Sequence, residues 1–453
     1  MSDQPGSSHD DVAERLRRLQ QLGVKRGRAA IQLPQQPAAT ARPATGQSLL
    51  DLVGGRIVQT ASGPCHVVET RFPLDETRGG WTLGAALTFD GAAVAACSRN
   101  EELASFDFRR AAFIDTETSG LSGGAGTFAF MVGIGTFEEE QGNQGNQGNE
   151  GTATEYVVRQ VFMENPGQER ALLSFVGGVL ARCTGLVSFN GRAFDAPLLE
   201  NRYLLNREPS PLRGLLHFDL LPAARQRWRL RLPSRSLGSL ERDILGFERS
   251  QEDVPGWLIP SIYQQYARGG DALTPQVLAD VAHVFYHNLH DIVNMAPLAA
   301  ILCEPFQAGT LLPDHLHPID VVALARCFEE LAWHDHSERA YRRALELSLP
   351  PQIRAEALNR LSWLLKRQER RLEAAALWQD WITSVPGHDI IPYVELAKHY
   401  EWHDTDLTSA RKWTLWAIHV AGQMPPGPDR ELAQADLQHR LERLERKLAG
   451  TAD

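Results

Sequence analysis

Acidic residues in three separated segments of this 453-residue chain have the types and spacing needed to bind divalent cations. Asp115 and Glu117 stand two residues apart at the end of the apolar stretch AAFID, so a strand would direct both side chains to one face of a sheet. There both carboxylates can reach one hard cation through oxygen. Without a cation or protons, two adjacent carboxylates repel each other and destabilise the fold. Taken alone, such a pair is more simply a solvated strand end.

Two later segments add further candidate ligands. LVSFNGRAFDAPLL reads as a strand, a polar Asn-Gly turn and an amphipathic helix, with Asp195 in the first helical turn. By itself Asp195 is more simply an acid that complements the helix dipole. In YHNLHDIV, a helical pattern makes His287 and Asp291 neighbours because residues four apart share a face. A solvated histidine is the simpler interpretation of that segment alone, so the indication of a site comes from the combination.

The elements that must position these residues read as strands followed by helices. Apolar and β-branched segments begin near residue 57 and recur at 111–115, 127–137, 156–163 and 185–189. Helical patterns then alternate with loops to about residue 303, which predicts an α/β or α+β domain of roughly 200 residues.

Two segments look irregular. Residues 138–155 repeat the unit QGN and are predicted to form an expanded, flexible hairpin loop. Residues 1–47 are rich in Ser, Gly, Pro, Gln and Ala, and we expect a disordered tail with one short amphipathic helix between Val12 and Leu22, either solvated or docked on a partner.

After Pro313 the pattern is helical only, and it repeats. Three segments superimpose when Ser337, Ala374 and Ala410 are aligned, with spacings of 37 and 36 residues. This period is close to that of tetratricopeptide repeats, and the small and large positions resemble those of that family. A plain helical bundle is the alternative.

Together the three acidic segments resemble the DEDD exonucleases of the ribonuclease H-like fold. More narrowly, DTETSGLSGGAGTFAFMVGIG, SFNGRAFDAPLLENRYLLNR and HNLHDIVNMAPL are similar to the YprB-type ribonuclease H-like group, whose members often carry tetratricopeptide repeats behind the nuclease domain. The resemblance covers roughly residues 60–303. It implies an α/β ribonuclease H-like domain over 48–305, with a mixed central sheet flanked by helices, followed by an all-α tetratricopeptide-like domain over 315–450.

The resemblance also implies a site for two divalent cations, Mg²⁺ or Mn²⁺. Asp115 would bridge both ions, Glu117 and Asp291 would complete the site of the ion that activates water, and Asp195 would hold the second ion, largely through water.

The general base is expected to be His287. In DEDD enzymes a histidine base lies five residues before the last aspartate and a tyrosine base lies four before it. Here His287 stands at minus four and Tyr286 at minus five, so residue type and spacing are exchanged. We favour His287 and keep Tyr286 open.

Positive charge for an anionic substrate is concentrated in residues 202–249. This stretch carries ten arginines against five acidic residues, in a chain whose net charge is −10. Arginines that alternate around one tryptophan there combine phosphate-binding groups with a ring on which a base can stack. Solvated arginine stems are the alternative. The candidate substrate-binding residues are Asn190, Arg192, Arg225, Arg227, Trp228, Arg229 and Arg231.

These features predict a metal-dependent nuclease, most simply a 3′→5′ exonuclease, acting on DNA or RNA that is single-stranded or has a free end. The alternative is a catalytically weak nucleic-acid-binding scaffold that recruits a protein partner through its repeats. The five cysteines include no CxxC pair, which argues against a disulfide framework or a zinc site and favours the cytoplasm. We expect no membrane segment.

Overall fold

The computed structural model describes residues 48–120, 126–139, 153–250, 252–269, 273–309, 312–387 and 389–450. The predicted tail 1–47 and most of the predicted loop 138–155 lie outside these ranges. From residue 48 onward the described residues belong to one compact unit.

A seven-stranded mixed sheet is the centre of the N-terminal half, with strand order β1-β2-β7-β6-β5-β8-β9. Within the described residues the strands are β1 (Arg56–Thr60), β2 (Gly63–Pro73), β3 (Thr77–Arg78), β4 (Trp81–Thr82), β5 (Ala111–Thr118), β6 (Ala129–Glu138), β7 (Glu155–Phe162), β8 (Gly185–Ser188) and β9 (Leu216–Asp219). Strands β1, β2, β7, β6 and β5 pair antiparallel, whereas β5, β8 and β9 are parallel. Strands β3 and β4 form a separate ribbon.

Helices cover both faces of this sheet, which confirms the predicted α/β ribonuclease H-like fold class. They are α1 (Leu49–Val53), α2 (Gly91–Ser98), α3 (Glu169–Leu180), α4 (Asp195–Leu205), α5 (Leu220–Trp228), α6 (Leu237–Asp243), α7 (Ile259–Gly269) and α8 (Pro275–Cys303). The period-two alternation of β5 divides its apolar side chains between two cores: Ala112 and Ile114 belong to one, and Phe113 to the other.

Strands β6 and β7 each reach one residue further toward the predicted loop than the sequence predicted. Glu138 is the last residue of β6 and pairs in register with Glu155, the first residue of β7. Both side chains are also held by ion pairs, Glu138 with Arg159 at 2.6 Å and Glu155 with Arg71 at 2.7 Å. The predicted loop boundaries at 138 and 155 are therefore wrong, because the strand pairing includes both residues.

The long helix α8 crosses the sheet where β6 carries two glycines. A Cβ atom at Gly133 would lie 2.3 Å from Asn288 Oδ1, and one at Gly135 would lie 2.1 Å from the Tyr156 hydroxyl. A side chain at Gly133 would displace α8, and one at Gly135 would displace Tyr156 of β7 as well as Ile292 of α8. Gly133 is also the register partner of Asp115, so the helix meets the sheet beside the first acidic motif.

The C-terminal half is all-helical in the described residues. Its helices are α9 (Pro318–Glu330), α10 (His334–Glu346), α11 (Pro351–Arg367), α12 (Arg371–Ser384), α13 (Ile391–Trp402), α14 (Leu407–Gly422) and α15 (Pro428–Gly450). Ser337, Ala374 and Ala410 are each the fourth residue of α10, α12 and α14 and are fully buried. The aligned positions are thus structurally equivalent, while the assignment to the tetratricopeptide family stays a prediction.

The two halves share one apolar core. A continuous buried cluster runs from Phe113 of the sheet through α8 to Leu396 of α13. At the junction Arg231 forms an ion pair of 2.8 Å with Asp320, whose side chain is only 5% exposed. The predicted boundary between 305 and 315 is therefore a change of architecture rather than a break in the core.

Candidate metal centre

The first acidic motif lies at the end of β5, next to α8. Asn288 Nδ2 donates a hydrogen bond of 3.0 Å to Asp115 Oδ2. Gln160 of β7 fixes that amide in turn, because its Nε2 donates to Asn288 Oδ1 at 3.1 Å and to the Phe285 carbonyl at 2.7 Å. The orientation of Asp115 is thus set by a chain of buried side chains that reaches two strands away.

Asp195 reaches the same place from α4, of which it is the first residue. The preceding turn has Asn190 at φ 68° and is held by Asp219, which accepts from the backbone nitrogens of Asn190 at 2.7 Å and Arg192 at 3.2 Å. Asp195 Oδ1 accepts from Thr116 N at 3.1 Å and from Thr116 Oγ1 at 2.5 Å. Because Thr116 stands between the two acids of β5, these bonds join the first and second motifs.

The third motif completes the cluster from α8. One ligand atom each of Glu117, His287 and Asp291 lies within 4.8 Å of the others. His287 Nε2 is 3.5 Å from Asp291 Oδ2, as expected for residues four apart on a helix. Glu117 is 8% exposed, and its Oε1 is buried with no hydrogen-bond partner. An unpartnered buried carboxylate oxygen facing a second carboxylate and an imidazole is a donor set that fits a divalent cation.

The pKa values of the clustered carboxyl groups show that this arrangement disfavours their charged forms. Burial raises the pKa of Asp115 well above its usual range, and the charges of Asp291, Asp195 and Glu117 raise it further. Burial likewise raises the pKa of Glu117 to about 8. Burial raises the pKa of Asp195 to about 6, although the hydrogen bonds from Thr116 oppose the shift. These groups need either protons or cations to be stable where they are.

The structure separates the two candidate bases. The Tyr286 hydroxyl accepts a hydrogen bond of 3.0 Å from Ser250 N, and its ring packs edge-on against His290, so it is engaged outside the cluster. His287 faces Asp291 directly. Burial alone would lower the pKa of His287, but the charges of Asp291 and Glu117 outweigh it and raise the pKa.

Several predicted substrate-binding residues are buried or paired with other side chains. The prediction is wrong for Trp228 and Arg227, which are 1% and 4% exposed. Alternation around Trp228 assumed an open surface, whereas α5 turns both side chains into the core shared with the C-terminal helices. Arg231 is engaged by Asp320. Arg225 and Arg229 are exposed and one helical turn apart.

The other two candidates lie in the turn before Asp195. Arg192 is exposed and donates through Nη2 to the His217 carbonyl at 2.6 Å, and Asn190 is half-buried. Both therefore stay candidates on the side of the second motif.

Sequence reasoning missed Arg249, which contacts the third motif. Its guanidinium donates to Asp291, and Nη1 lies 3.0 Å from His287 Nδ1. It lines an open groove of about 620 Å³ together with Asp253, His287 and Asp291. In the sequence Arg249 is one of ten arginines in a basic stretch, so only its position at the end of GFER, beside several acids, could have marked it.

Comparison with known proteins agrees with the position of this cluster. Residues 112–303 match the family model RNase_H_2, described as RNase_H superfamily, and this range contains all four carboxylates. The chain is also similar to the uncharacterized protein YprB of Bacillus subtilis (strain 168), with 33% identity over 292 residues. That alignment spans 64% of this chain and 64% of YprB. Residues 112–303 are thus similar to domains of the ribonuclease H superfamily.

Among the described residues, no helix combines the length and the apolar character needed to cross a bilayer.

Proposed function

We propose that this protein is a metal-dependent 3′→5′ exonuclease that hydrolyses phosphodiester bonds of DNA or RNA with two Mg²⁺ or Mn²⁺ ions. The observation that supports it most is the convergence of Asp115, Glu117, Asp195 and Asp291 from a strand and two helices, with a buried oxygen of Glu117 left without a partner. Carboxylates that pack together and have strongly shifted pKa values are typical of functional sites.

The residues of the cluster divide the work. Asp115, Glu117, Asp195 and Asp291 would hold the cations, with Asn288 and Thr116 fixing two of these carboxylates. Bound divalent cations supply the lowered pKa of the attacking water and neutralise charge on the phosphate. His287 would accept the proton of that water at Nε2, the ring nitrogen that faces Asp291.

Substrate binding is assigned to exposed positive side chains outside the acidic cluster. Arg192 follows the turn that positions Asp195, and Arg225 and Arg229 line one exposed side of α5. Because the chain as a whole carries a net charge of −10, such local arginines are needed to attract a phosphate backbone.

End-labelled single-stranded and double-stranded DNA and RNA, incubated with Mg²⁺, Mn²⁺ or EDTA, test the proposal. We expect stepwise shortening from the 3′ end with either cation and none with EDTA. Asp115→Asn should remove cleavage, whereas Asp280→Asn, a matched change on α8 outside the cluster, should not. Cleavage that persists in EDTA or in Asp115→Asn would contradict a metal-dependent site.

The same assay distinguishes the exonuclease proposal from the scaffold alternative. The helical half exposes Trp363, Trp402 and Trp416, at 41%, 53% and 48%, and these side chains are the positions at which a protein-binding role would be tested. A scaffold predicts that nucleic acid is bound but not shortened under any cation condition.

A further inference from the structure

Arg249 contacts four side chains in and around the third motif, namely Glu241, Asp253, His287 and Asp291. Its Nε and Nη2 donate to the two oxygens of Glu241 at 2.7 Å and 2.6 Å, and Nη2 also donates to Asp291 Oδ1. Nη1 donates to Asp253 Oδ1 at 3.2 Å. The side chain is 10% exposed, so the guanidinium is an almost buried hub between α6, α8 and the segment that follows Arg249.

The hub is anchored on the side away from the cluster. Glu241, 1% exposed, also accepts a hydrogen bond of 3.0 Å from Asn294 Nδ2, and Asn294 is fully buried on α8. A bidentate pair of this kind fixes the plane of the guanidinium. Arg249 therefore lacks the freedom to swing toward an incoming phosphate.

The anchored guanidinium determines which atoms face the cluster. Asp291 uses Oδ1 for Arg249, so Oδ2 is the oxygen directed toward His287. His287 Nδ1 donates to Asp253 Oδ1 at 2.7 Å, the same oxygen that Arg249 contacts, and this leaves Nε2 facing Asp291. Both side chains of the third motif are thus oriented through one arginine.

We propose that Arg249 is a positioning residue that orients Asp291 and His287 for cation binding and water activation. The proposal rests on the proposed metal-dependent nuclease function for its catalytic part, while its cation-binding part stands independently. Outer partners that orient a metal ligand typically change metal affinity or activity by about 10- to 100-fold when they are removed.

Arg249→Gln tests it through two readouts, Mn²⁺ affinity by titration calorimetry without substrate, and kcat and KM on an oligonucleotide that the wild type cleaves. We expect about 10- to 100-fold weaker Mn²⁺ binding and a lower kcat, with KM for the oligonucleotide unchanged. Arg249→Lys keeps the charge but loses the fork geometry, so it should restore part of both. The double variant Glu241→Gln/Arg249→Gln removes the unpaired buried charge of Glu241 that the single variant leaves, and it should show the same loss if the single variant fails to fold.

Arg159→Gln is the matched control, because Arg159 is 9% exposed and forms a bidentate pair with Glu138 in β6, outside the cluster. It should lower stability while Mn²⁺ affinity and kcat stay at wild-type values. A raised KM with unchanged Mn²⁺ affinity would overturn the proposal and make Arg249 a phosphate contact. Unchanged Mn²⁺ affinity and kcat would also overturn it. If the wild type binds Mn²⁺ but cleaves nothing, the nuclease proposal fails while the calorimetric comparison still decides the role of Arg249.

Discussion

Buried glutamates in the two halves of the molecule have opposite surroundings. Glu117, in the sheet, has an oxygen without a partner, and burial raises its pKa to about 8. Glu401, on α13, has a side chain with 0% exposure that accepts from Arg440, Arg443 and Lys447 of α15, each at 2.8 Å. Burial alone would raise the pKa of Glu401, but these bonds outweigh it and lower the pKa.

The difference separates carboxylates that the chain neutralises itself from those that we propose bind cations. Glu401 is neutralised by its own chain and ties the last helix to the rest of the helical half. Glu117 is left for something the chain does not itself provide, as are Asp115 and Asp195, whose pKa values are also raised. Burial of an acid is therefore not the signal of a site; a buried acid whose pKa stays raised because internal positive groups do not outweigh its burial is.

The largest expected effect comes from Asp115→Asn, which removes a central ligand while keeping side-chain volume. We expect cleavage to fall by about 10⁴-fold or more, because a bound cation contributes several kcal/mol of transition-state stabilisation and about 1.4 kcal/mol corresponds to tenfold in rate. The matching change Glu401→Gln should leave the turnover number of the folded protein unchanged. Quantitative cleavage assays with both variants test this, and equal losses would abolish the distinction between the two halves.

His287→Ala should lower the cleavage rate by roughly 10²- to 10⁴-fold, the usual range for a general base. Tyr286→Phe should be mild, because the Tyr286 hydroxyl accepts from Ser250 N and does not face the carboxylates. Single-turnover rates at saturating Mg²⁺ measure both. A severe Tyr286→Phe and a tolerated His287→Ala would reverse the assignment.

Stability should respond in the opposite way to activity. Glu401→Gln should cost about 2–3 kcal/mol, below the ~3–5 kcal/mol for breaking a fully buried ion pair, because its partners reach solvent. Glu117→Gln should leave the free energy of unfolding unchanged or raise it in EDTA, since it removes an unpaired charge. Chemical denaturation at pH 8 compares the two variants, and a larger loss in Glu117→Gln would show that this charge is compensated after all.

The smallest effect is expected from replacing residues 140–152 with an Asn-Gly turn. The change keeps the ion pairs of Glu138 and Glu155, and loop length enters stability at only about 0.6 kcal/mol per doubling. Cleavage rate and unfolding free energy should stay within about twofold and ~1 kcal/mol of wild type. A collapse of either would assign the segment a packing or binding role.

The sequence was sufficient to place those candidate residues whose position follows from their immediate neighbours in the chain. The acids of β5 follow an apolar strand, and Asp195 begins a helix after a turn, so each could be placed from its neighbours. Arg249 could not, since it is held by Glu241 of α6 and Asp291 of α8, and Asn294 of α8 in turn holds Glu241. Asn288 was not predicted for the same reason. Its contact with Asp115 depends on the β5–β6 register and on the absence of a side chain at Gly133.

Trp228 shows the converse error. Arginines at alternate positions suggested an exposed surface around the ring, but a helix of 3.6 residues per turn directs alternate positions to opposite sides, so Arg227 is buried while Arg225 and Arg229 are exposed. The C-terminal helices pack against α5 and bury one side of it. The local sequence pattern does not reveal this contact.

The most direct test of the account is the gain in unfolding free energy that Mg²⁺ gives the wild type and Asp115→Asn, measured between pH 6 and pH 8. In EDTA the raised pKa values of Glu117 (about 8) and Asp195 (about 6) mean that the folded state retains protons which the unfolded state has lost. The cluster therefore costs more stability as pH rises toward 8. A fixed Mg²⁺ concentration of about 100 times the dissociation constant at pH 8 should add about 2.7 kcal/mol at pH 8 and less at pH 6, where protons compete with the cation.

For Asp115→Asn we expect higher stability than wild type in EDTA and little gain from Mg²⁺. An equal Mg²⁺ gain in wild type and variant, or no gain in the wild type at pH 8, would contradict the claim that these carboxylates are held together for cations.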